Sequence, residues 1–274
     1  MTKTLFTNGC SWTYGGGLDT PDTREHITHL HDNVVWPAHV QRLMNFDEQV
    51  NLSAGCGSNQ RICRTTFDWV VNQPKEVLEN TVAVIQWSLL DRYEYYVPHP
   101  NDSRFTETKA TLNDVHLNVK PEFITDRHSL QDKSLSRWAK VSPSSFVSVY
   151  ENHHSNDVKK IASDRYRTYT DIEGIYTWLS QLSFLHDLFT YHNIEYYYWF
   201  FCNEVFAYPQ YIQDYMYERF NFLEPKRSHQ WNYERILDTK PETNDCHPSL
   251  KGHEQLAEHI IKAIAKKKTI LRRP

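Results

Sequence analysis

Near the C-terminus the chain reads N-D-C-H-P-S-L-K-G-H, residues 244–253. Asp245 and His247 stand two apart, followed at once by Pro248, Ser249 and a helical pattern. A carboxylate beside an imidazole is half of a proton-transfer device: the ring moves the proton, and the acid fixes its tautomer and stabilises the imidazolium. The other half is a nucleophile, and a serine hydroxyl becomes one at neutral pH only with a base within hydrogen-bond reach. Ser11, in N-G-C-S-W-T-Y-G at residues 8–15, is the candidate. Taken singly, each feature has a plainer reading. Ser11 is a turn serine after a strand, and Asp245 and His247 cap the last helix, with Pro248 in its first turn.

Whether the halves meet depends on the elements that carry them. Leu5, Phe6 and Thr7 form a short apolar run that ends at Asn8-Gly9, the expected end of a first strand. Trp36, Val40, Leu43 and Met44 have helical spacing, and Val50-Asn51-Leu52 reads as a second strand leading into the loop A-G-C-G-S. Asn59 is placed to cap the next helix, with Ile62, Phe67, Trp69 and Val70 largely on one side. Val82 to Trp87 is a continuous run of the kind that suits a parallel strand buried on both faces. Ile175 to Phe189 makes an amphipathic helix stopped near His192-Asn193; Ile194 to Phe201 is a β-prone aromatic run; Leu250 to Ile264 carries a last helical stripe.

Strands alternating with helices predict an α/β fold, a three-layer α/β/α flavodoxin-like sandwich around a central parallel sheet of about five strands, with Ile236-Leu237 as a short fifth. The expected organisation is a single domain over residues 1–274. The polar, proline-punctuated stretch at about 95–170 lacks clean periodicity and reads as an insertion after strand 3, a lid or small subdomain. In such sheets ligands collect at the C-terminal ends of the strands. Ser11, the 52–57 loop, Q-W-S-L-L-D-R and D-C-H-P-S all fall there.

This combination resembles the SGNH (GDSL-like) hydrolase superfamily, in a divergent form like those of phages and marine bacteria. G-C-S-W-T-Y-G at 9–15 is similar to its nucleophile block, N-L-S-A-G-C-G-S-N at 51–59 to its glycine block, and D-C-H-P-S-L-K-G-H at 245–253 to the block that carries acid and base. The resemblance implies Ser11 as nucleophile, His247 as general base and Asp245 as the acid. The oxyanion donors it implies are the Ser11 N–H and a backbone N–H at Gly55, Cys56 or Gly57. Family members usually carry G-x-N-D after strand 3, with the Asn as a further donor; here the stretch is Gln86-Trp87-Ser88-Leu89, so Ser88 or Asn59 is expected to substitute. A histidine base makes activity fall as the pH drops below about 6–7, where an ordinary imidazole protonates.

Other patterns are less telling. Gly15-Gly16-Gly17 lacks the spacing and the lysine of a phosphate loop and reads as a flexible rim. His26, His29, His31, His153 and His154 lie in expected loops without convergent spacing, so no metal or other cofactor is expected. Cys10, Cys56 and Cys246 each fall inside a site block and read as small thiols filling tight turns. Five cysteines without a CxxC pair suggest reduced thiols. A net charge of −4 gives no basic field for nucleic acid, and no apolar window is long enough for a membrane span. The Lys266–Lys268 run suits a helix C-terminus.

The expected function is therefore a cytoplasmic serine esterase, without nucleic-acid or membrane partners, acting on a small-molecule or carbohydrate ester. The 17 tyrosines and 8 tryptophans, among them Tyr93, Tyr95 and Tyr96 after strand 3, favour O-acyl carbohydrate. The alternative is a scaffold of weak or no turnover that binds a glycan or protein.

Overall fold

The computed structural model describes residues 2–16, 18, 33–55, 57–96, 138–141, 164–165, 167–200, 209–223 and 247–271. Four parallel strands form the central sheet: β1 (Thr4–Asn8), β2 (Glu48–Asn51), β3 (Thr81–Trp87) and β6 (Glu195–Phe200), in the order β2-β1-β3-β6. The apolar runs become its inner strands because β1 and β3 each have a neighbour on both sides, and parallel strands covered on both faces need apolar side chains on both. β2, at the edge, carries the more polar E-Q-V-N. The order and direction are those of a flavodoxin-like α/β fold.

Alternation along the strands makes the layers. Phe6, Ala83, Ile85, Trp87, Tyr196 and Tyr198 point into one core, against α3 (Asn59–Val71) and α5 (Asp171–Tyr191). Leu5, Val84, Tyr197 and Trp199 point into the other, against α2 (Trp36–Leu43) and α7 (Leu250–Leu271). The first core is aromatic: Trp178 of α5 meets Trp87 and Phe200 edge-on, at centroid distances of 6.1 and 5.0 Å. Each fully buried large side chain contributes roughly 1.5–3 kcal/mol. The second core, joining α2 and α7 to the sheet, anchors the C-terminal helix.

One expectation is corrected. The helix at 59 is capped by Ser58, whose side chain accepts the Arg61 N–H, and Asn59 is its first residue. Beside β6 lie residues 221–223. A parallel bridge joins Phe222 to Tyr198, with Tyr198 N–H donating to Asn221 O (2.9 Å) and Leu223 N–H to Tyr198 O (2.8 Å). They follow α6 (Gln210–Arg219), a helix whose aromatic-rich sequence gave no clear stripe. Ile236-Leu237 lies outside the described residues.

Most of the 95–170 stretch also lies outside them. Among its described residues is an antiparallel pair, β4 (Tyr93–Tyr96) with β5 (Trp138–Val141). Glu94 of β4 accepts a two-pronged bond from Arg64 of α3 (2.8 and 3.0 Å), which fixes the pair to the main body. Among the described residues no helix is long and apolar enough to cross a membrane.

His186 of α5 and Tyr196 of β6 meet at 2.6 Å. Burial, and then the Arg219 charge, hold the His186 imidazolium disfavoured, below the usual histidine range. Burial pushes the Tyr196 phenol up to about 12, so it keeps its proton beside the neutral ring. A histidine with a lowered folded pKa is protonated first in the unfolded chain. Its contribution is complete above the ordinary imidazole range and is lost as the pH falls through it. In urea unfolding from about pH 7 to about pH 5, wild type is expected to lose more stability than His186→Gln; a difference that does not change with pH contradicts this.

Candidate active site

The nucleophile turn begins at Asn8, the last residue of β1. Its fully buried side chain donates to Ile62 O, Thr65 Oγ1 and Thr66 Oγ1 of α3 (3.2, 2.8 and 3.0 Å) and accepts the Gly9 N–H (2.9 Å). The chain then turns directly into α1 (Ser11–Tyr14), with Ser11 at its first position and Gly15 ending it at φ 95°, a left-handed conformation that suits glycine. Ser11 is 8% exposed. A first-turn N–H has no acceptor within its own helix, which leaves that of Ser11 available as a donor.

Gln86 of β3 holds this turn from beneath. Its Oε1 accepts from the Cys10 N–H (3.3 Å) and from Thr13 Oγ1, and its Nε2 donates to Cys10 Sγ (3.1 Å). Thr13 Oγ1 also accepts from Trp36 Nε1 (3.3 Å), and Asn51 Nδ2 donates to Thr13 O (3.3 Å). A Cβ on Gly9 would lie 2.7 Å from Gln86 Cβ, so only glycine lets the turn approach β3 this closely. The polar residue inside the run V-A-V-I-Q-W was the sequence signal for this clamp: a buried amide needs partners, and here they are the nucleophile turn itself.

His247 arrives from the other end of the chain, just ahead of α7. Ser249 prepares that helix by accepting the Gly252 N–H on its hydroxyl and the His253 N–H on its carbonyl (3.1 and 2.9 Å). His253, fully buried, accepts the Trp36 N–H on Nδ1 (3.2 Å) and so ties α7 to the start of α2. The result is that His247 Nε2 stands 2.7 Å from Ser11 Oγ, across 236 residues of sequence. With its proton on Nδ1, a neutral imidazole accepts the serine proton at Nε2. Asp245 lies outside the described residues, as do Cys56 and Cys246. Gly16 closes over the pair: its N–H donates to Ser11 O (2.7 Å), and a Cβ there would lie 3.0 Å from Ser11 Cβ and 3.1 Å from His247 Nε2. That tightness had no sequence signal beyond a run of glycines.

The loop after β2 is stitched to the same turn. Ala54 N–H donates to Gly9 O (3.3 Å), and a Cβ on Gly57 would meet Gly9 O at 3.0 Å and Cys10 Cα at 3.6 Å. Gly57 N–H is occupied by Ala54 O (3.0 Å), whereas the Cα of Gly55 faces open space. Arg61, 1% exposed, braces the loop by donating to Leu52 O (2.7 Å); an arginine in the first turn of a helix gave no sign of this in the sequence. Asn59 holds the backbone of Ser88. Its Oδ1 accepts the Ser88 N–H (2.7 Å) and its Nδ2 donates to Ser88 O (3.1 Å), making it a clasp between α3 and the rim of β3. Ser88 is 3% exposed and its Oγ accepts from Arg92 Nη1 (3.0 Å).

Tyr93 is buried at 6%, with the Arg165 guanidinium 4.9 Å over its ring, so it is no open platform for a sugar. Cys10 and Cys63 are free thiols, and burial pushes the Cys63 thiol far up, which keeps it inert. Among the described residues no three His, Cys, Asp or Glu side chains gather as a metal site.

A model of a family of unknown function (DUF6071) matches residues 18–141, a span that includes the 52–57 loop, Ser88 and Arg92 but neither Ser11 nor His247. No curated protein matches the chain. Among solved structures it is similar to the crystal structure of TesA at 11% identity, with 96% of this chain and 99% of that one covered and a TM-score of 0.46. It is also similar to the lipase Lip_vut3 from goat rumen metagenome at 12% identity, with 96% and 97% covered and a TM-score of 0.41.

Two substitutions follow from this geometry. Gly16→Ala is expected to wedge His247 away from Ser11 and slow reaction of the serine by about tenfold or more, because small displacements of reacting groups carry large penalties. An unchanged rate of fluorophosphonate labelling would show that the methyl is accommodated. Gln86→Leu leaves the Cys10 N–H and the Thr13 hydroxyl without their acceptor and is expected to lower unfolding free energy by about 1–3 kcal/mol in chemical denaturation.

Proposed function

We propose that the chain is a serine hydrolase that cleaves an ester through an acyl-enzyme on Ser11. The observation that carries this reading is the 2.7 Å approach of His247 Nε2 to Ser11 Oγ, at the C-terminal edge of a parallel sheet. The Ser11 oxygen attacks the ester carbonyl as its proton passes to His247. Collapse of the tetrahedral intermediate breaks the bond to the alkoxy group, which leaves as an alcohol with that proton. Water then attacks the acyl-enzyme, giving a proton to His247 that returns to Ser11 as the carboxylic acid departs. Asp245, two residues before the base, holds the imidazole tautomer and balances the imidazolium.

The developing oxyanion takes donors from the Ser11 N–H and from the N–H of Gly55 or Cys56, since that of Gly57 is already bonded within its turn. Ser88 supplies the further donor in place of the asparagine, given that the Asn59 amide grips the Ser88 backbone. Substrates are small-molecule or carbohydrate esters, with O-acyl groups on sugar as the working choice. Free Cys10 and Cys63 are in keeping with a cytoplasmic setting. A second reading, a binding scaffold without turnover, draws on the Ser at the position of the usual asparagine.

A fluorophosphonate probe separates the two. Wild type is expected to label once per chain, Ser11→Ala not at all, and His247→Ala slower by at least about 10³-fold. Labelling that survives in Ser11→Ala, or no labelling of the wild type, rules the hydrolase out.

A further inference from the structure

The residue that replaces the asparagine is held on every side. Its N–H and carbonyl are both bonded to Asn59, and its hydroxyl oxygen receives an N–H from Arg92, four residues on. In that last bond the direction is not in question. A guanidinium has donors only, so the serine oxygen is the acceptor and its single hydrogen must point elsewhere. A serine left alone turns that hydrogen towards a nearby backbone carbonyl. Here the rotor well facing Arg92 is closed to it, and one of the two lone pairs of the Ser88 carbonyl is taken by Asn59 Nδ2.

Register shows where this serine stands. Asn8 of β1 pairs with Ile85 of β3, so three residues further along each chain lie Ser11 and Ser88, at the same rim of the sheet. The strands stay together past their last ladder pair, because Gly9 packs directly on Gln86. The guanidinium is itself confined. Arg92 lines a small cleft with Asn59, Gln60, Leu90, Tyr93 and Trp178, and its Nε is buried. A cation 3.0 Å from a hydroxyl oxygen also polarises the O–H and makes it a stronger donor.

We infer that Arg92 is a positioning residue: by donating to Ser88 Oγ it directs the Ser88 proton towards the oxyanion of the reaction and strengthens that hydrogen bond. This rests on the hydrolase reading and deepens it. The arrangement replaces one asparagine amide by a serine–arginine relay, in which the serine touches the substrate and the arginine acts only through it.

The test is a double-mutant cycle read as the maximal rate of fluorophosphonate labelling, with the probe's half-saturating concentration measured separately. Ser88→Ala is expected to slow the maximal rate on the order of 10²-fold, the effect of one oxyanion donor. Arg92→Met is expected to slow it roughly tenfold, the equivalent of one ordinary hydrogen bond, with the half-saturating concentration little changed. Arg92→Lys, which keeps a cationic donor, restores most of the loss. In the Ser88→Ala background Arg92→Met adds less than about twofold, because nothing is left to orient. If the two effects multiply, or if Arg92→Met moves only the half-saturating concentration, Arg92 does not act through Ser88. Loss of all labelling in the wild type, or its persistence in Ser11→Ala, removes the hydrolase reading instead. Thermal unfolding of each variant separates these outcomes from simple misfolding.

Discussion

The structure turns on one constraint: a strand must end and a helix begin within three residues, with a serine at the first helical position. Two buried amides meet it. Asn8 ties the end of β1 to α3, and Gln86 ties the start of α1 to β3. Both lie in a sheet whose remaining inner residues are largely apolar, where an unpaired amide is penalised by roughly 1–3 kcal/mol. Each amide therefore makes the turn geometry and its own burial depend on one another. The glycines at 9, 16 and 57 are the steric counterpart, since each backbone lies where a methyl would collide or crowd.

The base comes by a different route. His247 stands just ahead of α7, whose Leu256, Ala257, Ile260 and Ile264 pack with Trp36 and Val40 of α2 and with Leu5, Val84, Tyr197 and Trp199 of the sheet. His253 adds a directional bond from α7 to the first turn of α2, and Trp36 in turn donates to Thr13 of the nucleophile helix. A chain of buried contacts thus runs from the base's helix to the nucleophile's helix. The second core thereby helps to set the Ser11–His247 distance.

The rim of β3 is held by polar side chains from other positions. Asn59 of the neighbouring helix fixes the backbone of Ser88, and Arg92 engages its hydroxyl. An amide offers two donors in a fixed plane, whereas a hydroxyl offers one on a free rotor. The guanidinium bond restrains that rotor, since it closes one of its wells to the hydroxyl hydrogen.

What the sequence determined by itself was periodic or local. The order of the main-sheet strands and of the helices before β3, the two-sided burial of β3, and the proximity of the serine and histidine blocks to the strands' C-terminal ends were legible because apolar spacing and turn residues act over a few positions. The tertiary structure decided the long-range polar pairings. Asn59 was read as a cap because Asn suits that role, yet Ser58 takes it and Asn59 reaches Ser88, 29 positions away. Gln86, Arg61 and His253 gave no positional clue to their partners, and nothing in the pattern announced that residues 221–223 would bridge to β6. Hydrogen bonds between distant segments leave no period in the sequence; which donor meets which acceptor is settled only when the sheet, with its register, brings them to one edge.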